Sequence, residues 1–245
     1  MSNYIYLLSW DVGQVTDPSA VVGYKVFTDS WPYLYDAIVV SRLPLGTKYT
    51  VPKGSGQKGQ VEMICELCSR EPFINCTLAV DQTGVGRAVV DQLYAAEPHA
   101  AICPVTIVAS TMGKAKCQKS PYEWHVPKVE IVNALVVASE QRRILVGPSQ
   151  ADGKVVQQLR DSDTLRAELS TFRTKLSKAG NEQFGTWRQA EHDDLVLAAA
   201  IGIWVAENAG AGWDGKLGVG KSPPHAPVDA WLDRDILAGP WGERP

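Results

Sequence analysis

Long apolar runs are missing from this sequence. No stretch approaches the roughly 18 consecutive apolar residues that cross a bilayer, so no membrane partner is expected. The first residues, Met1-Ser2-Asn3-Tyr4, lack a basic region followed by an apolar core, so no export signal is visible. An even-numbered disulfide framework is lacking too: five cysteines without an export signal predict reduced thiols and a cytoplasmic protein. Charge of one sign is not in large excess. With 24 Lys and Arg against 27 Asp and Glu, the net charge of −3 gives no global pull toward nucleic acid. Local basic patches carry more weight than the total. Candidates are Lys114, Lys116 and Lys119, then Arg142 and Arg143, then Arg173, Lys175 and Lys178, each of which reads first as solvated surface. There is no internal repeat and no base-reading motif.

What is present fits a globular α/β domain. The 245 residues are 45% apolar and 21% charged, enough for one large domain with or without an appendage. Residues 4–10 form an apolar run that delivers Asp11 to a Val12-Gly13 turn. Residues 19–27 and 33–43 read as two further strands, and the short connections favour an antiparallel meander. Residues 46–59 read as a loop and 61–70 as a helix. A buried strand over 77–80 then runs into Asp81, followed by a Gly84-x-Gly86 turn and a helix to about residue 97. A fifth strand over 102–108, reached through that helix, is expected to lie parallel to the fourth. Residues 109–123 read as a basic loop. Val126-Pro127-Lys128 is expected to open a helix to about 142, with Pro127 in its first turn. Residues 143–146 give a short extended piece, 151–172 a helix, 181–188 a turn and short strand, and His192-Asp193-Asp194 the start of a final helix to about 208. The expected sheet is mixed and five-stranded, three antiparallel strands followed by two parallel ones. The expected domain covers 1–208. Residues 209–245, rich in Gly and Pro with a Trp231/Leu232/Leu237 cluster, read as a flexible tail with a docking segment.

Acids stand at comparable places. Asp11 and Asp81 each end a strand, and Asp193 and Asp194 occupy the first turn of the last helix. If the first and fourth strands are neighbours, Asp11 and Asp81 lie side by side at the sheet edge where ligands bind in open α/β folds. Read singly, Asp81 caps a turn and Asp193 and Asp194 complement a helix dipole. Together they would repel, and hard divalent cations relieve such repulsion.

These motifs resemble the nuclease domain of the large terminase subunit of tailed phages, within the ribonuclease H-like, Holliday-junction resolvase-like superfamily. The matching stretches are Ser9-Trp10-Asp11-Val12-Gly13, Asp81-x-x-Gly84-x-Gly86, and His192-Asp193-Asp194-Leu195-Val196-x-Ala198. The resemblance covers roughly residues 4–207. It implies a ribonuclease H-like sheet flanked by helices and a two-metal endonuclease that cuts double-stranded viral DNA during packaging. Asp11, Asp81 and Asp194 would be the catalytic metal ligands for two Mg²⁺ or Mn²⁺ ions. Asp193 would serve a second ion or as an alternate, and His192 would be a ligand or an outer-shell group. Gly84 and Gly86 would turn the chain sharply and bring helix amides near a phosphate. Lys114, Lys116 and Lys128 would meet DNA phosphates. The family also implies an ATPase motor. This sequence starts almost at the first nuclease strand, so the motor is expected to be absent, on another chain, or in a longer parent, with a small terminase subunit or portal protein as further partners. The expected location is then the host bacterial cytoplasm.

Other readings carry less. A Holliday-junction resolvase would share the acids and differ in preferring branched DNA, and a non-catalytic packaging or DNA-binding module would keep the fold alone. An actin-like phosphotransferase also places Asp-x-Gly near its first strand, but this chain is short for its two lobes. Residues 215–222 spell a P-loop by spacing, yet Pro223-Pro224 follows where a helix must begin. Gly210-x-Gly212-x-x-Gly215 follows a helix rather than a strand, and Cys65-x-x-Cys68 lacks a second ligand pair for zinc.

Overall fold

The computed structural model describes residues 3–13, 17–29, 31–52, 54–109, 114–119, 122–151, 154–179 and 193–209. His192, the expected strand at 181–188 and all of the tail beyond residue 209 lie outside the described residues.

The chain runs β1 (Tyr4–Asp11), β2 (Ala20–Phe27), β3 (Leu34–Arg42), α1 (Gln60–Cys68), β4 (Cys76–Asp81), α2 (Gly86–Ala96), β5 (Ala100–Val108), β6 (Lys116–Lys119), β7 (Tyr122–Pro127) and α3 (Lys128–Glu140). It continues through β8 (Ile144–Val146), a small β9–β10 hairpin (Gln150–Ala151 and Lys154–Val155), a 3-10 turn (Gln157–Leu159), α4 (Ser162–Ala179) and α5 (Asp194–Asn208). Among the described residues, the main sheet has eight strands in the order β6-β7-β5-β4-β1-β2-β3-β8. β1, β2 and β3 pair antiparallel, and β4 and β5 continue from β1 in parallel. This mixed sheet flanked by helices is consistent with a ribonuclease H-like architecture.

The expected five strands are therefore the middle of a wider sheet. Residues 116–127 form a hairpin rather than a loop, with β7 parallel to β5. Trp124 and Val126, turned toward the core, explain why a stretch bounded by lysines still pairs. Pro127 ends β7 and precedes α3 instead of standing in its first turn. Residues 144–146 close the other side as β8 against β3, and the fourth helix starts at Ser162, well after residue 151.

Two apolar layers sandwich the sheet. Leu8, Trp10, Leu78 and Val80 pack under α1 and α2. Leu7, Ala79, Val105 and Val126 pack under α3 and α5. Alternation along a strand forces this split. The central strands are apolar on both faces because both are covered, as parallel strands require. α5 is apolar nearly all round, with eleven buried residues, which is the pattern of a helix enclosed in a core. It lies close on the sheet because Gly202 has no side chain: a Cβ there would stand 2.8 Å from Ser9 Oγ and 2.9 Å from the Tyr24 ring.

Candidate active site

β1 and β4 run parallel in the register Ser9↔Ala79 and Trp10↔Val80. One step on, Asp11 and Asp81 end their strands next to each other, about 4.8 Å apart across the sheet. Both are buried, at 7% and 3% exposure. Leu7, Ser9 and Ala79 face α5, so alternation turns Asp11 and Asp81 to that same face. The row continues across the antiparallel strands, where Asp11 pairs with Ala20 and Ala20 with Arg42. Asp81, Asp11, Ala20 and Arg42 thus line one edge of the sheet, on one face.

The direction of α5 brings its acidic start to this edge. Gly202 lies over Ser9, and Glu207 Oε1 is 3.1 Å from the Tyr35 hydroxyl, far toward the opposite edge. The helix therefore runs antiparallel to β1, and Asp193 and Asp194 arrive level with Asp11. Asp194 is drawn to the Arg42 end of the row: its Oδ2 lies 3.6 Å from Arg42 Nε. The Arg42 NH2 group donates to Glu168 Oε1 of α4 at 2.5 Å. Burial pushes the Glu168 carboxyl up to about 7, opposed by Arg42 and reinforced by the charges of Asp194 and Asp193.

The turn after β4 is shaped around Asp81. Its Oδ1 accepts the Thr83 backbone N–H at 2.8 Å. Gly84 adopts φ +63°, which favours glycine. A Cβ on Gly86 would fall 2.1 Å from the Asp81 carbonyl oxygen, so α2 can begin there only with glycine. On the β1 side, Gly13 N donates to Ser19 Oγ at 2.9 Å, and the Tyr49 hydroxyl donates to Gly13 O at 2.5 Å. The loop over 46–59 is thus tied to the end of β1.

A second polar cluster stands on the other face of the same edge, beside α2. Glu123, 5% exposed, accepts from Gln82 Nε2 at 2.7 Å, and Arg87 NH2 lies 3.4 Å away. His125 Nε2 lies 2.7 Å from its other oxygen. The His125 and Gln82 bonds, with Arg87 nearby, hold the Glu123 carboxyl below its ordinary range despite burial.

The structure brings together Asp11 and Asp81 and sets Asp193 and Asp194 at the same edge. Among the described residues, no group of three or more His, Cys, Asp or Glu stands close enough to hold an ion. The donor set nevertheless suits a hard divalent cation: two buried carboxylates on adjacent rigid strands, with a third acid tethered nearby. Lys128 opens α3 two strands away from β4, while exposed Lys116 sits on the outermost strand and exposed Lys114 precedes it. Sequence reasoning missed Arg42, Glu168, Glu123 and His125. A weak signal existed for Arg42 alone, as the charged end of an apolar strand.

No family model matches the chain, and no curated protein matches it. Among solved structures, it is similar to the human cytomegalovirus terminase nuclease domain. The Mn-soaked, inhibitor-bound form is 10% identical, covers 85% of this chain and 86% of its own, and gives a TM-score of 0.49. The form soaked with Mn alone is 9% identical, covers 85% and 87%, and gives 0.46.

Proposed function

We propose that this chain is a divalent-metal-dependent DNA endonuclease of the terminase type, cutting double-stranded DNA by phosphodiester hydrolysis. The observation that carries the reading is the pairing of buried Asp11 and Asp81 at the ends of adjacent parallel strands. Two buried carboxylates side by side are costly without a cation. The three motifs around Asp11, Asp81 and Asp194 agree with it.

In this reading Asp11 and Asp81 hold Mg²⁺ or Mn²⁺, and Asp194 completes the donor set from α5, with Asp193 and His192 as further candidates. Bound there, a pair of ions would activate water and stabilise the leaving oxygen. The residues themselves do the positioning. The Thr83 amide fixes one oxygen of Asp81, and Ser19 and Tyr49 fix the chain just after Asp11. Gly84, Gly86, Lys114, Lys116 and Lys128 remain the proposed phosphate contacts. A packaging ATPase, a small terminase subunit or a portal protein are the proposed partners in a bacterial host cytoplasm.

Plasmid cleavage in Mn²⁺ tests the reading. Activity should vanish with EDTA. Asp81→Asn should keep the wild-type circular dichroism spectrum and lose at least about 10³-fold in rate, roughly 4 kcal/mol of transition-state stabilisation. Cleavage by Asp81→Asn at the wild-type rate would show that Asp81 has no role. Preference for a four-way junction over linear duplex would move the protein to the resolvase branch.

A further inference from the structure

Arg42 ties three elements together at the edge that carries the acids. Its backbone N–H donates to Asp161 Oδ2 at 2.7 Å, and its carbonyl accepts from Arg160 NH2 at 2.7 Å. Arg160 NH2 also donates to Ser41 Oγ at 2.9 Å. The end of β3 is therefore clamped by the segment leading into α4, whatever side chain residue 42 carries. That leaves the guanidinium to act forward, with NH2 on Glu168 of α4 and Nε beside Asp194 of α5. Its side chain is 16% exposed, and those of Glu168 and Asp194 are 12% and 14%.

We propose that Arg42 is a positioning residue for the metal site: held by Glu168, it sets where the Asp194 carboxylate stands relative to Asp11 and Asp81. The proposal rests on the nuclease reading above. Asp194 sits in the first turn of α5, with its Oδ2 3.6 Å from Arg42 Nε. Arg42 is two strands from Asp11 in the same row, so an acid leaning on it stands at the same edge and on the same face as the Asp11–Asp81 pair. An arginine fork anchored on one carboxylate offers its remaining N–H in a fixed direction, which a lysine does not. A cation beside a metal ligand also repels an incoming ion. For Arg42 to favour binding, the orientation it gives Asp194 must outweigh that repulsion. Partners of metal ligands that act this way are typically worth about 10–100-fold in metal affinity or activity.

The test is Mn²⁺ binding to the whole chain, read by calorimetry, alongside plasmid cleavage. Arg42→Gln should weaken Mn²⁺ binding about 10-fold or more and lower kcat, while KM for DNA stays within about 2-fold. Arg42→Lys should recover only part of the affinity. Glu168→Gln should weaken binding less than Arg42→Gln, since the amide still accepts from Arg42. It also carries the test, with Arg42→Lys, if Arg42→Gln does not fold. Wild-type Mn²⁺ affinity in both a folded Arg42 variant and Glu168→Gln overturns the positioning role. Tighter Mn²⁺ binding overturns it in favour of Arg42 as a competitor for Asp194. A rise in KM alone overturns it in favour of a phosphate contact. Should the wild-type chain bind no Mn²⁺, the nuclease reading itself falls and this proposal with it, a result distinct from the other three.

Discussion

Two glutamates flank the acidic pair, each beside an arginine, and their carboxyls move in opposite directions. Glu123, on the α2 face, is held below its ordinary range, whereas Glu168, on the α5 face, is pushed up to about 7. Burial is the largest cause of the shift at Glu168, whereas at Glu123 the His125 and Gln82 hydrogen bonds outweigh it. Glu123 has Gln82, His125 and Arg87 around it and no acid among the causes of its shift. Glu168 has Arg42, shared with Asp194, and the charges of Asp193 and Asp194 against it. Donors near a carboxylate favour its charged form, and neighbouring acids oppose it. At Glu168, on the face that carries the candidate metal ligands, burial together with the charges of Asp194 and Asp193 thus outweighs Arg42.

Removing the shared arginine should produce the largest stability effect. Arg42→Ala leaves Glu168 and Asp194 without their common cation, and breaking such a buried arrangement costs about 3 kcal/mol. The loss should be greater at pH 8 than at pH 5, because Glu168 can take up a proton at the lower pH. Urea denaturation at both pH values measures it. A cost below about 1 kcal/mol at pH 8 would place the Arg42 pairs among weak surface bridges and undo the contrast.

The same contrast marks how far the sequence could be read. Asp11 and Asp81 were legible as strand ends because each closes an apolar run at a glycine turn, while the pairing of β1 with β4 was only a condition of that reading and is supplied by the parallel register Ser9↔Ala79 and Trp10↔Val80. Glycine at 86 was legible as a turn, though not the 2.1 Å approach to the Asp81 carbonyl that demands it. Arg42 and Glu168 were not legible, because they stand 126 residues apart and meet only once α4 packs beside β3. Glu123 and His125 were hidden for another reason. Lysine-rich flanks made residues 109–123 look like a loop, and the hairpin's pairing with β5 is tertiary information. His192, the first residue of the most specific motif, lies outside the described residues, so its role still rests on the motif.

The opposite shifts predict opposite pH slopes. For Glu168 the folded carboxyl lies above its ordinary 4.5, at about 7, so the folded chain holds a proton that the unfolded chain releases. Its contribution to stability is full below about pH 4.5 and is lost as pH rises through 7. Glu168→Gln should therefore flatten the fall in Tm between about pH 5 and 8. For Glu123 the folded carboxyl lies below 4.5. Its contribution is present above that value and lost as pH falls through the folded one, so Glu123→Gln should flatten the acid limb below about pH 4.5. Thermal melts from pH 3 to 8 distinguish the two variants. A steeper alkaline fall in Glu168→Gln would mean that Arg42, and not burial, sets that carboxyl.

Arg87 provides the smallest and most discriminating change. It lies 3.4 Å from Glu123 and is 58% exposed, so water screens the pair and competes for both charges. Glu123 keeps its Gln82 and His125 partners when Arg87 is removed. Arg87→Ala should then cost no more than about 0.5–1 kcal/mol, as exposed ion pairs do. The acid limb of the stability profile should hardly shift, because the Gln82 and His125 bonds are the larger causes of the lowered carboxyl. Urea denaturation at pH 7 with repeat melts below pH 5 tests both parts. If Arg87→Ala costs as much as Arg42→Ala, the distinction between a carboxylate that shares its arginine with another acid and one with several donors fails. An unchanged acid limb would instead assign the lowered Glu123 carboxyl to the strand-borne partners, which the fold supplies without any arginine.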